Sequence, residues 1–322
     1  MSPQIDEETS EKLKIDLKDN KILEILRKNS RITYQQISKQ VHLSHDAVRY
    51  RIQKLEKSGI IDNYSIKINY PLLGYNEYQI LFQHIESKHE KIKSFYNYLI
   101  KHNNIINVIF YSDKWDLKVV ILAKDAVELD KILTDIDNKF SDILIDQQIL
   151  GKIRDCVEGD INLELKKQKQ KIKLDDTDKK ILNILSENSR TSLVDISKKV
   201  NLDADTIMYR IKKLQNKNII DHFGTNINAN KLGMHWYNVL LLMKVFTEDE
   251  EKKLRDYFNQ DPNLIGIIKT IGEWNLILTI LAESPKQFHE IATKIKLLLG
   301  DSLKDYDSLL AYKELKNKDI IL

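Results

Sequence analysis

The sequence predicts an α+β chain in which two basic three-helix modules alternate with two ferredoxin-like βαββαβ modules. Three observations predict it. The 322 residues match themselves at an offset of 159, with 29 identities in 63 aligned positions across Asp16 to Tyr78, a period far too long for a solenoid repeat. Within each copy the apolar spacing changes from three-and-four to alternation partway along. The net charge then changes sign at the same boundary. Half the chain therefore repeats the other half, and each half holds two modules.

The elements follow in order. Ile22, Ile25 and Leu26, then Ile37 and Val41, then Val48, Ile52 and Leu55 recur at helical spacing and give three short amphipathic helices between Asp16 and Ser58. Asp16 and Asp19, repeated as Asp175 and Asp178, put carboxylates at the cap and first turn of the opening helix, where unpaired N–H groups favour them. Gly59 ends the third helix, and Tyr64 to Asn69 alternates like a strand. From Tyr78 the order is strand (80–82), helix (90–101), strand (105–111), strand (117–123), helix (126–140) and strand (143–150). Copy 2 repeats it with 239–245, 250–259, 265–271, 276–282, 285–299 and a last strand near 307–312.

Composition is that of an ordinary globular chain, 42% hydrophobic and 31% charged with nine glycines and four prolines, which excludes collagenous and low-complexity classes. The lone Cys156 can form neither an internal disulfide nor a thiolate metal cluster, and it implies an intracellular, cytoplasmic protein. The acidic N-terminus has no apolar core of a signal peptide, and runs such as Val239 to Met243 are too short to cross a bilayer. His289-Glu290 begins like a zinc helix, but Thr293 takes the second histidine position, so no metal or cofactor is expected.

A net charge of +3 is too mild to name a partner, but its distribution is informative. Residues 14–70 carry 12 basic and 6 acidic groups, whereas 71–165 carry 11 basic and 16 acidic. In copy 2 the helical module 173–229 has 10 and 8, and 230–322 has 13 and 14. A basic helical head on an acidic sheet body suits a polyanion ligand. On the third helix Val48, Ile52 and Leu55 face the core, so Asp46, Tyr50, Gln53 and Lys57 face outward, flanked by Arg49 and Lys54. A helix in the major groove reads bases with its first turns, here His45, Asp46, Arg49 and Tyr50, while Lys54 and Lys57 meet phosphates. Arg49 is the first choice for guanine; the competing reading is a solvated helix surface. Arg51 and Arg210 lie nearer the buried side, which favours a structural or backbone-contact role.

The runs Asp16 to Leu23, Asn29-Ser30-Arg31 and Leu43 to Ile60, repeated as Leu174-Asp175, Asn188-Ser189-Arg190 and Leu202 to Ile219, resemble the Lrp/AsnC family of feast-or-famine regulators. The βαββαβ segments resemble that family's RAM domain. The resemblance implies two winged helix-turn-helix domains, 14–70 and 173–229, alternating with two RAM-like ferredoxin-fold domains, 71–164 and 230–322, with a basic linker at 165–172. It also implies double-stranded DNA as partner, an amino acid or other small effector, and dimerisation through the sheets. Since the chain looks like two such proteins fused, an intrachain pseudo-dimer is expected, able to form further homo-oligomers, and no membrane partner.

The copies are unequal. Copy 2 presents Asp205, Tyr209, Lys212, Lys213 and Asn216, with Met208 where copy 1 has Arg49 and Asp203 where it has Ser44. Copy 1 is therefore expected to supply most DNA affinity. The family's Gly-x-aromatic-Asp turn beside its effector pocket reads Asp113-Lys-Trp115-Asp116 in copy 1 and Gly272-Glu-Trp274-Asn275 in copy 2, so neither keeps the whole motif. An altered or absent ligand follows, with the two tryptophans read as packing residues. Siroheme decarboxylases resemble the same layout and supply the alternative, an enzyme. Their Arg-Pro-Phe segment is here Arg31-Ile-Thr-Tyr-Gln-Gln-Ile37, which argues against it.

Overall fold

The structure, a computed structural model, describes residues 14–156 and 172–317. Most of the expected basic linker, 165–171, and the acidic residues 1–13 lie outside the described residues. The chain forms two compact units, and each gathers one kind of module from both copies: the helical segments up to Gly74 and up to Gly233 in one, the sheet segments from Tyr75 and from Met234 in the other.

The helical unit opens with α1 (Leu17–Lys28), α2 (Tyr34–Val41), α3 (His45–Lys57) and β1 (Ile61–Ile68). Asp16 caps α1 in a reciprocal box with Asp19, Thr33 caps α2 in another with Gln36, and Ser44 caps α3. Ile22, Leu26, Ile37, Val48 and Ile52 are fully buried and form one core. Gly59, at φ +72°, ends α3, and its counterpart Asn218 takes φ +56°, the left-handed conformation that those two residue types tolerate best. Copy 2 repeats the pattern with α6 (Asp176–Glu187), α7 (Leu193–Val200), α8 (Ala204–Asn216) and β6 (Ile220–Ile227).

A single strand cannot close its own ladder, and here β1 pairs antiparallel with β6 of the other copy, Ser65 opposite Gly224. The two wings are thus one ribbon. Matching ties flank it: Ser30 N–H donates to the Phe223 carbonyl at 2.8 Å and Ser189 N–H to the Tyr64 carbonyl at 2.9 Å. The Ser30 and Ser189 hydroxyls, equivalent residues of the two copies, meet each other at 2.6 Å in a buried contact.

The sheet unit is a closed barrel of eight strands, in the order 303–317, 105–111, 117–123, 76–84, 144–155, 264–271, 276–282 and 235–243. Copy 1 supplies β2 (Asn76–His84), α4 (His89–Lys101), β3 (Ile105–Tyr111), β4 (Leu117–Ala123), α5 (Ala126–Phe140) and β5 (Leu144–Asp155). Copy 2 supplies β7 (His235–Met243), α9 (Glu248–Gln260), β8 (Leu264–Ile271), β9 (Leu276–Ala282), α10 (Pro285–Leu299) and β10 (Leu303–Asn317). On one face of β2 and β4, Ile80, Phe82, Val119 and Ile121 pack under the helices; on the other, Leu81 joins Leu240, Trp115, Trp274 and Ile277 in a core shared by both copies. β5 and β10 extend beyond the expected ends: β5 pairs with β2 and then, from Gly151, with β8, while β10 pairs with β7 and then with β3.

Inside the barrel Lys118, 5% exposed, donates to Asn238 Oδ1 at 3.1 Å, and the Tyr111 hydroxyl donates to the same oxygen at 2.5 Å. Arg154 on the β5 extension forms an ion pair with buried Glu251 of α9, which Arg255 also reaches at 3.3 Å.

Candidate nucleic-acid interface

α3 buries Val48, Ile52 and Leu55, and the helical period turns His45, Asp46, Arg49, Tyr50, Gln53, Lys54 and Lys57 to solvent, where all seven are exposed. Tyr50 is 68% exposed. On α8 the buried set is Ile207, Ile211 and Leu214, and Asp205, Tyr209, Lys212 and Lys213 are exposed, with Tyr209 at 66%. His45 Nδ1 lies 3.3 Å from Asp46 Oδ1, the acid in the first turn of α3.

Arg51 and Arg210 do not join these faces. Arg51 Nη1 bridges Asp16 and Asp19 at 2.7 Å each, tying α3 to the start of α1, and Arg210 bridges Asp175 and Asp178 identically. Those contacts hold the Asp16 carboxyl below its usual range, first through the Asp19 amide and then through Arg51. Asp203, read in the sequence as an added acid near the helix start, is the N-cap of α8: it accepts from the Thr206 amide at 2.7 Å and hydroxyl at 2.6 Å, which hold it ionised. Sequence reasoning missed that the helical modules interlock. The repeated Asn-Ser-Arg tripeptide is the signal, because Arg31 reaches the Ser189 and Thr191 carbonyls at 2.6 and 3.0 Å and lies over Phe223.

The six turn residues read as effector contacts lie in the sheet unit. Trp115 and Trp274 are buried in the shared core, and Trp274 Nε1 donates to Gln148 at 3.1 Å. Asp116 accepts the His84 amide at 2.7 Å, Asn275 the Met243 amide at 2.6 Å, and Asp113 the Leu310 amide at 2.6 Å. Gly272 has φ +142°, and a Cβ there would meet the Ile149 carbonyl oxygen at 2.6 Å, so close approach of the β5 backbone requires glycine. Asp113, Gly272 and Trp274 thus brace the junctions between the copies, while Asp116 and Asn275 tie strands of their own copy. His289 and Glu290 are exposed on α10, and among the described residues no three metal-ligating side chains converge. No helix of the described residues is long and apolar enough to cross a membrane.

Comparison with known proteins gives the helical segments an identity. The family model described as winged helix-turn-helix DNA-binding matches residues 15–62 and 174–221. The HTH-type transcriptional regulator LrpA of Pyrococcus horikoshii is 32% identical over 120 residues, 37% of this chain and 84% of that protein. The HTH-type transcriptional regulator FL11 of Pyrococcus furiosus is 32% identical over 115 residues, 36% of this chain and 75% of that protein. A solved structure of the siroheme decarboxylase NirDL superposes with a TM-score of 0.62 over 94% of this chain and 93% of its own, at 15% identity, a likeness of fold alone. With two matched winged helix-turn-helix segments and relatives named as transcriptional regulators, the chain belongs to the Lrp/AsnC family of DNA-binding transcriptional regulators.

Proposed function

We propose that the chain reads duplex DNA sequence-specifically with α3 and, more weakly, with α8, as a pseudo-dimer formed within one polypeptide. One observation carries the reading: two exposed recognition helices belong to a single body, joined by the β1–β6 ribbon and the Ser30–Ser189 contact. In this reading His45, Asp46, Arg49, Tyr50 and Gln53 face base edges, with Lys54 and Lys57 on phosphates, and Asp205, Tyr209, Lys212 and Lys213 form the weaker surface. Helical modules 14–70 and 173–229 act as readers, and sheet modules 71–164 and 230–322 as the pairing body.

Intrachain pairing is supported by divergence in the barrel. Lys118 meets Asn238, while the equivalent positions carry Ile277 and Gln79. The polar pair therefore forms only between unlike halves; two first halves would set Lys118 against Gln79, and two second halves would leave Asn238 facing isoleucine. A linker also keeps the partner at millimolar effective concentration. For the effector, the turns support an altered response, since an amino acid at Asp113–Asp116 or Gly272–Asn275 competes with strand amides already bonded there.

The test is a DNA titration at fixed salt. Arg49→Ala is expected to cost about 1–3 kcal/mol and to blur one base position, whereas Met208→Ala costs less. Equal losses would contradict the ranking of the copies.

A further inference from the structure

At the root of α3 the helical unit carries a groove of about 600 Å³ lined by Arg31, Thr33, Tyr34, Gln35 and His45 of the first copy and by Arg190 of the second. No carboxylate is among its lining residues. Arg31 is held in place by two carbonyls of copy 2, and Arg190 by the Tyr34 and Tyr64 rings, each 5.0 Å from its guanidinium carbon, with a long 3.4 Å contact to the Tyr64 hydroxyl. The two guanidiniums are near enough that Arg190 disfavours the charge of Arg31, adding to the effect of its burial. Two like charges kept together in a groove open to solvent, with no carboxylate in its lining, favour an oxyanion; Glu56, the acid beside this cluster, accepts the Tyr64 hydroxyl at 2.6 Å. The equivalent positions of copy 2 are Ser192, Leu193, Val194 and Ala204, which remove both the ring and the imidazole.

Position selects the oxyanion. His45 is the first residue of α3, whose outward face holds Arg49. When such a helix enters the major groove, the helix before it crosses the sugar–phosphate backbone, and contacts there fix register rather than sequence. We propose that this groove is a phosphate clasp in which Arg190, a residue of the second copy, grips a DNA backbone phosphate beside the recognition helix of the first. Arg31 completes the cationic wall beside the His45 ring, and the Tyr34 and Tyr64 rings hold the Arg190 guanidinium in place to donate to a phosphate. The inference rests on the DNA-reading role of α3, and it makes the stronger reader depend on both copies.

The test uses the full chain and a short duplex selected for binding, with affinity measured over a salt series. Arg190→Gln is expected to lower the salt slope by about 1, the value of one lost phosphate contact, and to weaken specific and non-specific duplexes alike. Arg190→Lys should regain most of the slope, whereas a purely packing role would lower the melting temperature and leave the slope unchanged. Arg49→Ala is measured alongside: if it weakens binding while Arg190→Gln keeps the wild-type slope, the clasp is wrong and the recognition-helix reading stands. If the wild type ignores DNA at low salt, both fall. Inorganic phosphate is titrated as the second arm; saturable binding lost in Arg190→Gln with an unchanged DNA slope assigns the groove to a free phosphate and overturns the backbone contact.

Discussion

Replacing Lys118 with methionine should stabilise the sheet unit at neutral pH, and the gain should shrink as pH rises. The Lys118 ammonium is buried between the two copies with Asn238 Oδ1 as its hydrogen-bond acceptor. Burial, only partly offset by Glu314 and Glu77, pushes it from its ordinary 10.5 down to about 8. That displacement corresponds to a cost of about 3 kcal/mol for keeping the proton in the fold. The cost is fully present below pH 8, where folded and unfolded chains both carry the charge. Between about 8 and 10.5 the unfolded chain holds the proton and the folded one does not, so stability climbs with pH, and above 10.5 the cost is gone. Tyr111, held well above its ordinary value by complete burial, stays neutral and still donates to Asn238 in the variant. Methionine has a similar shape and no charge, so Lys118→Met should gain about 1–3 kcal/mol at pH 7 and lose most of that advantage by pH 10. All three tryptophans, Trp115, Trp236 and Trp274, lie in this unit, so fluorescence-monitored urea melts from pH 7 to 10 report it directly. A variant less stable than the parent at pH 7, or a difference that does not move with pH, would refute the reasoning.

Two further changes probe the junctions between the copies. Gly272→Ala forces a Cβ to 2.6 Å from the Ile149 carbonyl oxygen and 2.9 Å from Leu150 Cδ2, and should cost roughly 1–3 kcal/mol in the same melts; an unchanged midpoint would show that the β5 backbone yields freely. Arg154→Ala leaves the nearly buried Glu251 with Arg255 alone and should destabilise by about 3 kcal/mol. Arg154→Ala combined with Glu251→Leu should recover most of that loss, and failure to recover would mean that the β5 extension depends on something other than this ion pair.

Much of the exposed face of α3 was legible in the sequence because it rests on local period. Val48, Ile52 and Leu55 at helical spacing determine which way Arg49 and Tyr50 point, and the same rule sets Arg51 apart, toward Asp16 and Asp19. The helix caps were legible for the same reason, with Asp16 and Asp175 each accepting amides of their own first turn. The clasp around Arg190 was not. Its rings and guanidiniums come from residues 126 and 156 positions apart, and no local pattern places Tyr64 and Tyr34 beside Arg190.

The strands show where local pattern stops. Gly151 to Asp155 reads Gly-Lys-Ile-Arg-Asp, without the apolar run of a buried strand, so the expected strand ended at Leu150; in the fold this stretch continues β5 and pairs with β8. Lys118 likewise sits in a strand where alternation allows a polar residue on an outward face, and only the second sheet covering that face buries it. Spacing, caps and internal repetition fix the elements because they act over a few residues. Which edges join, and which faces become interior, depend on two copies folding against each other, and that pairing energy resides in neither copy alone.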